Sequence, residues 1–171
     1  MTNFDEADTT LLRLLQKDAR VSNRALADAV GLAPSTCLER VRALHTSGVI
    51  TGHHTSVDLV ALNRPLQAMV AVRLIPKTKD SIERFVAHVW ELPETIAVYL
   101  LSGTDDVSIH LAVPDTQRLR AVVVDDIASF PGVVDERSSL IYEHRRKEVV
   151  EALAATTPAG AADGVRRRRR P

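Results

Sequence analysis

Residues 22–48 read SNRALADAVGLAPSTCLERVRALHTSG, two helical patterns joined by a glycine turn. In the first, Ser22 is an N-cap residue, Leu26 and Val30 share one face, and Gly31 stands where a helix C-terminus needs left-handed backbone. In the second, Pro34 suits the first turn, Cys37, Leu38, Val41 and Leu44 form an apolar face, and Gly48 ends the helix. At about 100° per residue the opposite side holds Ser35, Thr36, Glu39, Arg42 and Thr46, with Arg40 at the flank. Arginine makes bidentate bonds to guanine, hydroxyls reach phosphates or base edges, and a carboxylate accepts from cytosine. A short helix, a glycine turn and a helix with an uncommitted polar face form the pattern of a helix-turn-helix that lays its last helix in a major groove. The same residues suit a small bundle with a merely solvated face, so spacing alone leaves both readings open.

Upstream, Ala7, Leu11, Leu14 and Leu15 continue the helical period, with Asp5 as N-cap. Downstream, VITGHHTSVD (49–58) predicts a two-strand wing turning at Gly52. His53 falls in that wing, where it suits a phosphate contact, although plain exposure suits it too. A winged helix-turn-helix is therefore expected over residues 1–60. Asn63-Arg64-Pro65 marks a linker over 61–65, because proline breaks the pattern.

Residues 66–150 follow a different rhythm. An apolar strand at 66–75 stops at Pro76, then Ile82, Phe85, Val86 and Val89 keep helical spacing. TIAVYLLS (95–102) and VSIHLAV (107–113) read as a hairpin around a turn from Gly103 to Asp106. Leu119, Val122, Val123 and Ile127 mark a second helix, Phe130-Pro131-Gly132 ends it, and VVDERSSLIYEH returns as a strand. The order βαββαβ predicts an α+β fold with a ferredoxin-like sandwich, two helices on one face of a four-stranded antiparallel sheet. Ala97, Val98, Tyr99, Leu100 and Leu101 make the strands apolar on both faces. A partner sheet should then cover the open face, giving a homodimer with paired reading heads for a palindromic site.

With 171 residues, 45% hydrophobic and 26% charged, the chain has the composition of a soluble globular protein of one or two small domains. No apolar run reaches the roughly 18 residues that a membrane helix needs. The opening MTNFDEADTT is acidic and polar, unlike a secretory signal. The single cysteine, Cys37, permits no intrachain disulfide and suits a reducing cytoplasm. Net charge is zero, and its distribution is uninformative up to the tail: residues 1–60 carry 6 basic and 7 acidic groups, and residues 61–150 carry 11 and 13. Residues 151–171 carry 5 basic against 2 acidic groups, and all five are the consecutive arginines 166–170. This segment lacks apolar period and is expected to be a disordered basic tail that attracts phosphates without sequence preference; an incidental solubilising tail is the bland alternative.

Two stretches carry a family resemblance. FDEADTTLLRLLQKDARVSNRALADAVGLAPSTCLERVRALHTSGVITGH (4–53), with LLSGTDDVSIHLAV (100–113) followed by FPGVV (130–134), resembles the leucine-responsive and asparagine-synthetase regulator family, Lrp/AsnC, over roughly residues 4–150. The resemblance implies a sequence-specific transcription regulator on double-stranded DNA. It also implies dimers that assemble to tetramers or octamers, and an amino acid or related small-molecule effector bound between dimers. It places Ser35, Thr36, Glu39, Arg40 and Arg42 on the recognition helix; Ser22, Asn23, Arg24, Pro34 and His53 complete the expected DNA-binding set. Gly103, Thr104, Asp105 and Asp106 are the expected effector-binding turn, where amides can hold a carboxylate and an acid an amino group. The family commonly has serine where this chain has Ala33, and Gly-Asp-x-Asp where it has Gly-Thr-Asp-Asp; the moved acid puts the effector in question.

Other residues invite chemistry that their setting does not favour. Cys37 lies on an apolar helix face and reads as core rather than nucleophile. His53 and His54 would point to opposite faces of a strand, without a third metal ligand nearby. His88, His110 and Trp90 read as structural. No catalytic set, metal site or cofactor is expected. An enzyme on this scaffold is the competing class, since sirohaem decarboxylases resemble it; a metabolite-binding module without DNA binding is the other.

Overall fold

The structure, a computed structural model, describes residues 4–153. The basic tail expected over 151–171 lies outside the described residues from 154 onward, and 151–153 are exposed and irregular. The described residues form two compact units, 4–53 with 146–153, and 54–145. The division falls before the wing segment ends rather than after residue 60, and the chain returns to the first unit at Arg146.

The first unit holds α1 (Glu6–Lys17), α2 (Asn23–Val30) and α3 (Pro34–Thr46). Asp5 caps α1 by accepting from the Asp8 amide at 2.8 Å, and Ser22 caps α2 by accepting from Ala25 at 3.2 Å. Gly31 closes α2 with φ 66°; its own amide donates to Asp28 and that of Leu32 to Ala27, the paired bonds of a Schellman turn. Leu11, Leu26, Ala27, Cys37 and Leu44 form the core, with Val41, Val49 and Ile50 half-buried against it.

The expected two-strand wing is not formed among the described residues. Ile50 donates to Leu44 and ends the packed chain, and residues 51–58 are exposed without strand pairing. TGHHTS offers no alternating apolar side chains to seat on the core, and a lone two-stranded ribbon is marginal without them. The expected linker is also more than a spacer. Asn63 takes φ 57°, its amide donates to Val60, and Arg64 donates to Leu59 at 2.8 Å, so residues 58–64 close as a Schellman-like turn.

The second unit runs β1 (Leu66–Leu74), α4 (Lys79–Trp90), β2 (Thr95–Leu100), β3 (Val107–Val113), α5 (Thr116–Ala121, continuing as a π-helical segment Val122–Ala128) and β4 (Val133–Ile141). The antiparallel sheet has strand order β2-β3-β1-β4, the ferredoxin-like arrangement the sequence predicts. Ala68, Val70, Val72, Leu74, Val107, Ile109, Leu111 and Val113 face the helices, where Phe85, Val89, Leu119, Val122 and Ile127 meet them. Fully burying a Val, Leu, Ile or Phe side chain contributes about 1.5–3 kcal/mol. Gly132 takes φ 98° just before β4, and a Cβ there would lie 3.0 Å from the Ile75 carbonyl oxygen, so only glycine fits beside the end of β1.

The other sheet face is mixed rather than apolar. Register places Gln67, Met69 and Ala71 of β1 beside Ser108, His110 and Ala112 of β3, and Ala97 and Tyr99 of β2 beyond them. His110 Nε2 lies 3.0 Å from Gln67 Oε1, and burial followed by the nearby His144 holds its pKa below the usual histidine value. Val98, one of the residues that make the strands apolar on both faces, packs against the helix-side core.

Ala33 is the N-cap of α3, with extended backbone (φ −64°, ψ 144°) and no side-chain cap bond. Ala33→Ser is expected to raise stability by about 1 kcal/mol, read as a shift of the urea midpoint at constant slope.

Candidate nucleic-acid interface

The rotation of α3 about its axis is set from two sides. Cys37 is 0% exposed and Leu44 nearly so, both in the core of the first unit. Burial pushes the Cys37 thiol up from its ordinary value, which keeps it protonated and inert. From the flank, Arg40 reaches α1: its Nη1 donates to Asp5 Oδ2 at 2.7 Å and to Asp8 Oδ1 at 2.9 Å. Asp5 thus caps α1 with one oxygen and holds α3 with the other. The Asp8 amide and then the Arg40 side chain hold the Asp5 carboxyl below its usual range, and the same pairing raises Arg40.

With that face fixed, Ser35, Thr36, Glu39 and Arg42 are set together on the opposite side of α3, all four exposed. Pro34 opens the helix and its carbonyl accepts from Asn23 Nδ2 at 2.7 Å, tying the first residue of α2 to the start of α3. Arg24 is exposed in the first turn of α2, whereas the Ser22 hydroxyl is engaged in its cap. Arg24 and Arg42 make no ion pair among the described residues. His53 is exposed, its ring edge-on to His45 with centroids 5.2 Å apart. The structure therefore gathers Ser35, Thr36, Glu39 and Arg42 on one outward face and sets Arg40 apart, turned to α1.

The turn between β2 and β3 is equally differentiated. Gly103 and Thr104 are exposed, and Asp105 pairs with Arg137 of β4 at 2.6 Å. Asp106 is 4% exposed. Its Oδ2 accepts from the Leu74 amide at 2.9 Å and its Oδ1 meets Lys77 Nζ at 2.5 Å. Burial opposes ionisation there, but the Leu74 amide, Lys77 and Arg73 outweigh it and hold the carboxyl below its usual range. Asp106 is a pin between the start of β3 and the end of β1, with both oxygens engaged.

The family model for the AsnC-type helix-turn-helix domain matches residues 4–45, and that for the Lrp/AsnC ligand binding domain matches residues 67–152. The chain belongs to the Lrp/AsnC family. The HTH-type transcriptional regulator AldR of Mycobacterium tuberculosis is 44% identical over 143 residues, covering 84% of this chain and 80% of that protein. The leucine-responsive regulatory protein of Escherichia coli K12 is 35% identical, covering 82% and 86%. Among solved structures, a transcriptional regulator from Neisseria meningitidis, determined as its L-Met complex, matches with TM-score 0.78 and 30% identity over 85% of this chain and 94% of that one. This Lrp/AsnC chain is a transcriptional regulator with a DNA-binding helix-turn-helix and a ligand-binding domain; its relatives are regulators, not enzymes. No helix among the described residues is long and apolar enough to cross a membrane.

Sequence reasoning missed the partners rather than the residues. Asp5 and Asp8 read as helix-start acids, which they are, yet nothing local announces that they hold Arg40 from 35 and 32 positions away. Arg137 and Lys77 likewise find Asp105 and Asp106 only through the folded sheet.

Arg40→Gln is expected to lower the denaturation midpoint of the first unit, while Arg42→Gln leaves it unchanged. The depressed Asp5 contributes stability that is present above its unfolded value of about 3.9 and lost as pH falls through the folded one. Wild-type stability should therefore drop on acidification below about pH 4, and Arg40→Gln should flatten that drop in urea titrations.

Proposed function

We propose that this Lrp/AsnC regulator reads a specific operator through the outward face of α3. Ser35, Thr36, Glu39 and Arg42 contact base edges, and Ser22, Asn23, Arg24, Pro34 and His53 contact or brace against the backbone. Arg40 acts by orienting α3. The observation that carries the reading is the opposition of faces on one helix: Cys37 and Leu44 are buried, while Arg42 and its polar neighbours lie opposite them, Arg42 without an ion-pair partner among the described residues.

The second unit carries an amino acid or related effector at the turn 103–106, as the family's ligand-binding domain and the L-Met complex of the Neisseria regulator suggest. Exposed Gly103 and Thr104 offer amide and hydroxyl groups to a carboxylate, and Asp105 exchanges Arg137 for the ligand's ammonium. Asp106 holds the turn in shape. Homodimers, assembling to tetramers or octamers in the cytoplasm, present paired reading heads, and an effector that favours one assembly changes their spacing on DNA.

Gel-shift titration with DNA upstream of the protein's own gene, against unrelated DNA at fixed near-physiological salt, is expected to show binding that survives excess competitor. Arg42→Ala should weaken it roughly tenfold or more, the worth of one bidentate base contact, with thermal stability unchanged. A wild-type protein that binds no duplex would end the reading.

Calorimetry with a panel of amino acids is expected to give heat and a thermal shift with at least one member. Asp105→Asn should weaken that binding with the fold intact. No heat and no shift across the panel would remove the effector from the turn.

A further inference from the structure

The turn between β2 and β3 stands beside the charged end of the open sheet face. There the register sets Arg137 of β4 opposite Ala71 of β1, and Asp135 opposite Arg73. The two arginines are therefore diagonal neighbours on one face, a spacing that long side chains bridge. Asp105 crosses to Arg137 from the far side of β1 and holds it at 2.6 Å. Arg73 and Asp135 are both exposed, and neither makes an ion pair among the described residues. Asp106 adds nothing to this balance, because the Leu74 amide and Lys77 engage its two oxygens.

The other side of the turn is built for an anion. The amides of Gly103, Thr104 and Asp105 donate to no backbone group among the described residues. Gly103 takes φ 124°, and a Cβ there would meet nothing within 4 Å, so the space outside the turn is open. Consecutive free amides form a concavity that suits a carboxylate. An amino acid whose α-carboxylate sits on these amides and whose ammonium takes Asp105 leaves Arg137 without its anion, diagonal to Arg73. Two neighbouring like charges oppose that exchange. A ligand that carries a second carboxylate removes the opposition, since an arginine binds a carboxylate through two parallel bonds. Thr104 contributes no charge that would repel it.

We propose that the effector is an acidic amino acid, of the aspartate or glutamate kind. Its ammonium lies on Asp105, its α-carboxylate on the amides of residues 103–105, and its side-chain carboxylate between Arg137 and Arg73. The two arginines are then specificity-determining residues of the effector site. The inference rests on the reading of the turn as that site. Arg73 lies next to the last residue of β1, at the rim of the open face, so a partner sheet on the middle of that face leaves the ligand room.

The test is calorimetry and thermal shift on the full chain with L-aspartate, L-glutamate, their uncharged isosteres L-asparagine and L-glutamine, and a panel of apolar amino acids. Wild type is expected to bind one of the acids roughly tenfold to a hundredfold tighter than its amide, the span of a hydrogen bond to a charged group. Arg137→Gln should bring the acid down to the affinity of the amide, without weakening the amide and with the thermal midpoint of the free protein unchanged. Arg73→Gln should lose part of the preference, and Arg137→Lys, which keeps the charge but not the fork, should retain part of it. A wild-type chain that binds the amides or an apolar amino acid as tightly as the acids overturns the acidic class and leaves the effector reading standing. A preference for the acid that survives both Arg137→Gln and Arg73→Gln overturns the assignment of the arginines. No heat and no shift with any amino acid overturns the inference together with the effector reading beneath it.

Discussion

Arg40 leaves the flank of α3 and meets Asp5 and Asp8 at the start of α1, both through the same guanidinium nitrogen. The pair is partly exposed, and such pairs add little net stability in water. Its consequence is geometric. The buried face of Cys37 and Leu44 fixes how deeply α3 sits, and a charged tie at one flank fixes how it is turned. A helix held only by a stripe of aliphatic contacts could rock by a fraction of a turn; a helix also tied through directional, charge-assisted bonds is held more narrowly. Which side chains face outward follows from that rotation, and so does the DNA contact proposed for this unit.

The second unit solves a comparable problem with a buried carboxylate. Asp106 sits where the β2–β3 turn meets the end of β1, and it joins the Leu74 amide, Lys77 and the start of β3 at one point. Its own amide donates to Val72 and its carbonyl accepts from Leu101, so the residue is bonded on every polar group it has. A turn pinned this firmly at one end leaves Gly103 and Thr104 presented at the other. Asp105, between them, is paired with an exposed arginine of β4 that a competing cation can replace at small cost. Rigidity and exchangeability lie one residue apart.

The family's division of labour is visible in how the chain is routed. It builds the helical unit, then the sheet unit, and then returns to the first at residues 146–150. The first unit is therefore not a simple stretch of sequence, and residues 146–153 belong structurally with the helices of that unit.

Much of this was legible in the residues themselves. Short-range physics suffices for a helix cap, a glycine in the left-handed region, a period of about 3.6 or of 2, and a proline that ends a strand. Ser22, Gly31 and Pro34 each announced their element, as did the apolar run VSIHLAV between two turns. The outward set on α3 followed from the same periodicity. The sequence by itself determined the two architectures, their order and the family. Only the tertiary structure decided the partners: that Arg40 turns to Asp5 and Asp8, that Asp106 is sealed against the Leu74 amide while Asp105 is not, and that Gln16 receives Val150. It also decided that the wing segment finds no strand partner among the described residues. Those hydrogen-bonded pairings join positions from 32 to 134 apart. Their bonds depend on where packed helices and strands bring the chain together, and periodicity within one element holds no record of that.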